Sequence, residues 1–133
     1  FLAARISAPE DTGATGEVTV GLVAYHDPCS LGRRLSVFDE PRAVVEKVTG
    51  SAPAEFFHSH AEAECCGDGG LLPEVDPSLA ARLAAAQLSR LPEGVNTLVT
   101  ACPGCKAQLA GSAGSDVTVV DLSELVADRL GLS

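Results

Sequence analysis

The sequence predicts an α/β domain in which a parallel four-stranded sheet is covered by helices on both faces. Short segments rich in Val, Phe and Thr alternate along the chain with segments whose apolar residues recur at helical spacing. Short apolar runs are typical of buried strands, and the helices between them imply right-handed crossovers. The predicted order is β-α-β-α-β-α-β-α, a Rossmann-like arrangement whose ligand-binding edge lies at the carboxyl ends of the strands.

Four segments are predicted as strands. They are Val18 to Ala24, Ala54 to Phe57, Thr97 to Thr100 and Val117 to Val120. Each segment is short and carries few charges, as expected for strands that helices cover on both faces.

The first two helices are predicted from apolar periodicity and from residues typical of helix ends. Pro41 to Val48 has a proline in its first turn, and Gly50 follows its end. The pair Asp76-Pro77 caps the second helix, whose leucines recur at near-helical spacing down to Leu91.

The last two helices follow the third and fourth predicted strands. One runs from Pro103 to about Leu109 and is ended by Gly111. The other begins at Asp121, where Glu124 completes a pattern like a capping box, and is stopped by Gly131.

Composition excludes several classes of function. The chain has nine basic and eighteen acidic residues and no basic run, which argues against a nucleic-acid partner. Its longest apolar stretch, Val18 to Tyr25, is far too short to span a membrane, and no signal segment begins the chain. Five cysteines cannot all form disulfides, so a reducing cytoplasm is the predicted compartment.

The start of the chain predicts a fragment of a longer protein. Phe1 to Arg5 resembles the end of an apolar helix, and Ser7 to Gly13 has the composition of a linker. We therefore divide the chain into residues 1–16, a linker or the end of a preceding helix, and residues 17–133, one domain.

The cysteines form the pattern that bears most directly on function. Thirty-five residues separate Cys29 from Cys65, thirty-five separate Cys66 from Cys102, and Cys105 follows three positions later. On the predicted fold each group follows a strand, so all five thiols lie at the carboxyl edge of the sheet, where α/β folds bind ligands. Five thiols at one edge favour a soft metal.

Local chemistry refines the expected metal. A helix beginning at Pro103 places Cys102 at its cap and Cys105 one turn later, where the helix dipole lowers thiol pKa values and favours thiolates. A multi-iron cluster can use both members of the adjacent pair Cys65-Cys66, whereas one tetrahedral zinc leaves a thiol spare.

Other residues with ligand or charge chemistry have more ordinary interpretations. We predict His26 to be a hydrogen-bond partner beside the site, with metal ligation as the alternative. His58 and His60 are predicted to be polar loop residues, and Arg33 and Arg34 to be solvated, the alternative being that this basic pair offsets thiolate charge.

Three motifs together identify a family. They are Tyr25-His26-Asp27-Pro28-Cys29, Cys65-Cys66-Gly67-Asp68-Gly69-Gly70 and Ala101-Cys102-Pro103-Gly104-Cys105. From about Glu17 to Leu132 the chain resembles the cysteine-rich CCG domain found in heterodisulfide reductase and in the iron-sulfur subunits of glycolate and lactate oxidases. The resemblance implies that all five cysteines bind a noncubane [4Fe-4S] cluster, at which heterodisulfide reductase reduces a disulfide.

The resemblance also implies partners. In the oxidases the related subunit accepts electrons from a flavoprotein, and a ferredoxin-like segment precedes two CCG domains. We therefore expect a flavoprotein or another redox subunit as partner, a second CCG domain or a ferredoxin-like domain upstream, and a place in the cytoplasm or at the cytoplasmic face of the membrane.

Three hypotheses follow. The first is an iron-sulfur electron-transfer domain, a part of an oxidoreductase that does not itself oxidise hydroxy acids. The second is a structural or interaction module that binds zinc through four thiols. The third is a metal-free dithiol redox domain built on Cys102 and Cys105.

Overall fold

The computed structural model describes residues 21–132, in which helices cover both faces of a parallel sheet. The elements in chain order are β1 (Leu22–His26), α1 (Gly32–Leu35), α2 (Asp39–Thr49), α3 (Leu72–Val75), α4 (Pro77–Leu88), β2 (Val95–Thr100), α5 (Pro103–Ser112), β3 (Thr118–Asp121) and α6 (Leu122–Arg129). Two 3₁₀ turns, His60–Glu62 and Gly69–Leu71, precede α3. The predicted parallel α/β class is confirmed.

The sheet has three strands in the order β1-β2-β3, so the predicted four-stranded sheet is wrong. The segment Ala54 to Phe57 is not a strand, since it touches β1 through one parallel bridge, between Ala54 and Ala24. Pro53 before it has no N–H to donate to a ladder. Beyond the bridge Phe56 is buried in the core, which ends the alignment with β1 after one residue.

The other strand boundaries differ from the prediction by one or two residues. β2 begins at Val95, before the predicted Thr97, and β3 begins at Thr118, after the predicted Val117. The predicted start of the first strand at residues 18–20 lies outside the described residues, as do the division at residue 17 and the expected linker.

Both predicted side-chain caps are present. The Asp76 carboxylate accepts a hydrogen bond from the Leu79 backbone N–H at 2.9 Å and so caps α4. At α6 the Asp121 carboxylate accepts from the Ser123 N–H, while the Glu124 carboxylate accepts from the Asp121 N–H, which completes the capping box.

The helix ends were predicted less accurately than the starts. α2 ends before Gly50, which adopts a left-handed φ of 83°, as predicted. α5, in contrast, continues through Gly111 to Ser112, and α4 stops at Leu88 instead of Leu91. A glycine ends a helix only where the chain needs a left-handed residue, and Gly111 remains helical.

The two faces of the sheet bury different clusters. One cluster joins the sheet to α2 and α6 and contains Val23, Tyr25, Val44, Val45, Val48, Val99, Leu122, Leu125 and Val126. The other joins it to α4 and α5 and contains Ala24, Phe56, Cys66, Ala84, Val95, Leu98, Cys105, Leu109 and Val119. Two cysteines are therefore part of the core on the α4 and α5 side.

Candidate metal centre

Three buried side chains form a compact group of metal-ligand type. The Sγ atoms of Cys66 and Cys105 lie 3.0 Å apart, and a ring nitrogen of His26 lies within 4.8 Å of both. All three residues are almost fully buried. Imidazole and thiolate are ligands for zinc and for iron, so these atoms have the identity and proximity that a metal centre requires.

The fold brings this group together from three distant parts of the chain. His26 is the last residue of β1, and Cys105 lies in the first turn of α5, immediately after β2. Cys66 comes from the loop that packs against α4. Cys102 occupies the N-cap position of α5 but makes no capping hydrogen bond with its side chain, which leaves its sulfur available beside Cys105.

Two glycines allow the loops to approach one another closely. Gly67 has a left-handed φ of 94°, and a Cβ there would lie 2.6 Å from the Ala80 carbonyl oxygen of α4. A Cβ at Gly104 would overlap with the Asp68 carboxylate, which lies over the first turn of α5. The loop that carries Cys66 is thus held against both helices.

The Cys66 and Cys105 thiols share a proton. The hydrogen bond that the Cys105 thiol donates lowers the pKa of Cys66, with further contributions from His26 and the Asp68 backbone N–H. The pKa of Cys105 is raised because its thiol is the donor and lies buried beside the Cys66 thiolate, with Cys102 nearby. One sulfur of the pair is already in the ligand form, and a cation would replace the shared proton.

The remaining two predicted ligands are exposed. Cys29 lies in the turn after β1, where the Gly32 N–H donates to the Pro28 carbonyl at 2.9 Å. Cys65 is also exposed, and its Sγ accepts from the Gly67 N–H at 3.4 Å. Neither belongs to the compact group around His26, although the chain holds both at the same edge of the sheet.

Comparison with known proteins gives the family of this domain. A family model described as "Cysteine-rich domain", CCG, matches residues 23–110. The chain belongs to the CCG cysteine-rich domain family. The matched range includes β1, β2, most of α5 and all five cysteines.

Curated relatives of this CCG domain carry redox names. The chain is 38% identical over 115 residues to a subunit of dihydromethanophenazine:CoB–CoM heterodisulfide reductase from Methanosarcina barkeri, covering 84% of this chain and 28% of that protein. It is 36% identical over 113 residues to a probable membrane-anchored ferredoxin of Chromohalobacter salexigens, covering 81% and 17%. It is 31% identical over 109 residues to a subunit of fumarate reductase (CoM/CoB) from Methanothermobacter marburgensis, covering 78% and 22%.

The chain therefore spans between 17% and 28% of the length of these three relatives. Within residues 21–132 of the CCG domain, no helix combines the length and the apolar character that crossing a bilayer demands.

Two residues that support the cysteine site were not predicted. Gln87 is buried on α4 and places its Nε2 3.3 Å from Nδ1 of His26. The helical spacing of Ala80, Ala84 and Gln87 indicates one buried face, so a glutamine there was a detectable signal for a polar partner. Arg33, predicted to be solvated, donates to the carbonyls of the 61–63 segment at 3.2 and 2.6 Å and fixes the chain just before the cysteine pair.

A second group of ligand-type residues lies one position along the chain from His26. Asp27, Glu55 and His60 also place their ligand atoms within 4.8 Å of one another. Arg42 already occupies them, since its guanidinium donates to both Asp27 oxygens at 2.8 and 2.7 Å and to both Glu55 oxygens at 2.6 and 2.8 Å. This group is an ion-pair network, and His58 and His60 remain loop residues, as predicted.

The network explains the ionisation of its members. Burial alone would raise the pKa of Asp27, but hydrogen bonds from Arg42 and from the His60 backbone N–H outweigh it and lower the pKa. Burial would likewise lower the pKa of Arg42, and its bonds to Asp27 and Glu55 raise it instead. Both groups stay charged, so a cation would have to displace the arginine.

Proposed function

We propose that this CCG domain binds an iron-sulfur cluster and transfers electrons within a larger oxidoreductase. The observation that carries the proposal is the buried Cys66 and Cys105 pair, with sulfurs 3.0 Å apart and one proton between them. Thiolates held in this way have few uses besides metal ligation and redox chemistry. The proposed cluster is [4Fe-4S], and its ligands are Cys29, Cys65, Cys66, Cys102 and Cys105.

The residues present fit such a group. The thiols supply soft ligands, and two of them lie next to exposed positions from which further thiols extend. The buried Thr100 hydroxyl, which is paired in register with His26, has no hydrogen-bond partner among the described residues and adds a donor near the site. When bound, the cluster would supply one-electron chemistry. The chain would hold the thiolates, exclude water from the inner sulfurs and present N–H groups to them.

The position of the domain within a complex is inferred from its relatives. Two of them are named as parts of reductases and one as a ferredoxin, and each is several times longer than the aligned region. We therefore place the domain in a longer protein with a second CCG domain or a ferredoxin-like domain, served by a flavoprotein or another redox subunit. The same reasoning places it in the cytoplasm or at the cytoplasmic face of a membrane.

A zinc module is the second candidate, and one observation favours it. His26, Cys66 and Cys105 together span only 4.8 Å, a separation that suits ligands of a single tetrahedral ion. Cys102, beside Cys105, offers a fourth ligand. On this alternative the exposed thiols have no structural role.

Metal analysis of anaerobically purified protein separates the candidates. Iron and sulfide in equal amounts, with an EPR signal after oxidation or reduction, support the cluster. One zinc per chain with no paramagnetic signal in any redox state would contradict it, and a metal-free chain would support a dithiol domain. We also expect no turnover of glycolate or lactate by this chain alone, so activity with either would contradict the assignment as an electron-transfer domain.

A further inference from the structure

The imidazole of His26 is the buried polar group that the five-cysteine ligand set does not use. It lies on the same side of the sheet as Cys66 and Cys105, within 4.8 Å of both sulfurs, and is only 2% exposed. A buried imidazole needs hydrogen-bond partners for both ring nitrogens. The residues that surround it therefore decide whether it offers the sulfurs a hydrogen or offers a metal a lone pair.

Gln87 determines which ring nitrogen carries the hydrogen. Its Nε2, which can only donate, lies 3.3 Å from Nδ1 of His26, so Nδ1 is the acceptor. A neutral imidazole has one N–H, which must then be on Nε2. Gln87 is itself 2% exposed on the buried face of α4, so this arrangement is fixed by packing and not by solvent.

We propose that His26 is a positioning residue whose Nε2–H donates a hydrogen bond to the Cys66 thiolate and thereby raises the reduction potential of the bound cluster. The proposal rests on the iron-sulfur function proposed above. Reduction adds negative charge to a cluster and its sulfurs, and hydrogen bonds to those sulfurs stabilise the reduced form.

The same contact argues against His26 as a metal ligand. A histidine that binds a metal donates its other ring N–H to an acceptor. Here the other ring nitrogen receives a hydrogen from an amide, which leaves no lone pair on the nitrogen nearest the thiols. Ligation by His26 would require the Gln87 amide to rotate so that its oxygen faces Nδ1.

The ring tautomer tests the hydrogen bond whether or not a metal is bound. In ¹⁵N-labelled protein, long-range proton–nitrogen NMR spectra distinguish the Nε2–H form of a histidine from the Nδ1–H form. We expect the Nε2–H form for His26, and a shift towards a mixture in Gln87→Leu. An Nδ1–H form in the wild-type chain would overturn the proposal and assign His26 as a ligand.

The reduction potential tests the consequence. His26→Phe removes the donor, His26→Gln keeps an N–H on a side chain of similar reach, and His58→Phe is the matched control at a histidine outside the group. At a fixed applied potential we expect the ratio of reduced to oxidised cluster to fall about tenfold in His26→Phe, or about 59 mV for one electron. His26→Gln should lie near wild type, and His58→Phe should not differ from it.

Iron and sulfide contents separate the possible failures. A loaded His26→Phe protein with an unchanged potential overturns the proposal, and loss of iron in both His26 variants makes the residue a ligand and overturns it too. A wild-type chain without iron overturns the proposed function and with it the effect on potential. In that case the tautomer alone decides whether the hydrogen bond exists.

Discussion

His26 and Asp27 are neighbours in the chain but belong to two different groups of ligand-type residues. On one side of the sheet Cys66 and Cys105 share a single proton and face His26. On the other side the Asp27 carboxylate is bound at both oxygens by Arg42. Proximity of ligand atoms is equal in the two groups, within 4.8 Å. Only the thiol group has electron pairs that no protein cation already occupies.

The difference shows what separates a binding site from a structural network. Arg42 also lies over the Tyr25 ring, 5.1 Å from its centroid, so the guanidinium is packed as well as paired. A network with every partner in place resists an incoming ion. The thiol pair exchanges a proton for a metal with little rearrangement.

Loss of a thiol should have the largest effect. We expect Cys105→Ser to lose most of the iron and sulfide because the serine oxygen is a poor ligand for iron and the site is buried. Cys65→Ser, at an exposed position, should lose a smaller but clear share. Metal analysis after anaerobic purification measures both. Asp27→Asn in the other group is the control, and iron contents equal to wild type in both serine variants would contradict the ligand set.

Arg42→Met should break the other group without emptying the metal site. It leaves the Asp27 carboxylate, 2% exposed, without its cation, and we expect a loss of about 4 kcal/mol in the free energy of unfolding. Urea denaturation measures the loss, and Arg34→Met, at an exposed position of α1, is the matched control. A large loss of iron with unchanged stability would show instead that the network belongs to the metal centre.

Gly67→Ala should disturb the thiol group without touching a ligand. The added Cβ meets the Ala80 carbonyl oxygen of α4 and requires a left-handed alanine, so we expect about 3 kcal/mol of destabilisation and reduced metal content. Gly70→Ala is the control, because φ there is also positive but no atom lies within 4 Å. We expect about 1 kcal/mol for it. Equal effects at the two glycines would mean that the packing against Ala80 is unimportant.

An exposed ion pair should matter least, and only at neutral pH. Hydrogen bonds from Lys106 and from the Asp121 backbone N–H lower the pKa of Glu124. Its contribution is therefore present above the ordinary pKa of a glutamate and is lost as the pH falls through the lowered value. Thermal unfolding of Glu124→Gln should differ slightly from wild type at pH 7 and not at about pH 3. Glu93→Gln, in an exposed turn, is the control, and a larger difference in acid would contradict this origin.

The sequence was sufficient for the features that depend on local chemistry. The caps at Asp76 and Asp121 follow from the side chains of a few consecutive residues, and both predictions are confirmed. The cysteine edge followed from the alternation of strands and helices. It survives the loss of the second strand, because the Ala54 bridge still holds that segment beside β1.

Contacts between distant segments could not be predicted in the same way. His26 and Gln87 are 61 positions apart, and their contact depends on how α4 packs over the sheet. The network of Asp27, Arg42 and Glu55 likewise depends on the position of α2. The false strand at residues 54–57 reflects the similarity of a short buried loop to a short buried strand in composition, which hydrogen bonding alone distinguishes.

The irregular pairing at the start of β1 protects the alignment at its end. Leu22 pairs with Val95 and Val23 pairs with Thr97, so one residue of β2 is taken up there, and from Val23 onwards the ladder is regular as far as His26. Side chains alternate between faces, and a slip of one residue beyond that point would put a carboxylate among the thiols and an imidazole against the guanidinium. Changes in chain length before Val23 are therefore tolerable for chemistry, whereas an insertion after it would exchange the character of the two faces.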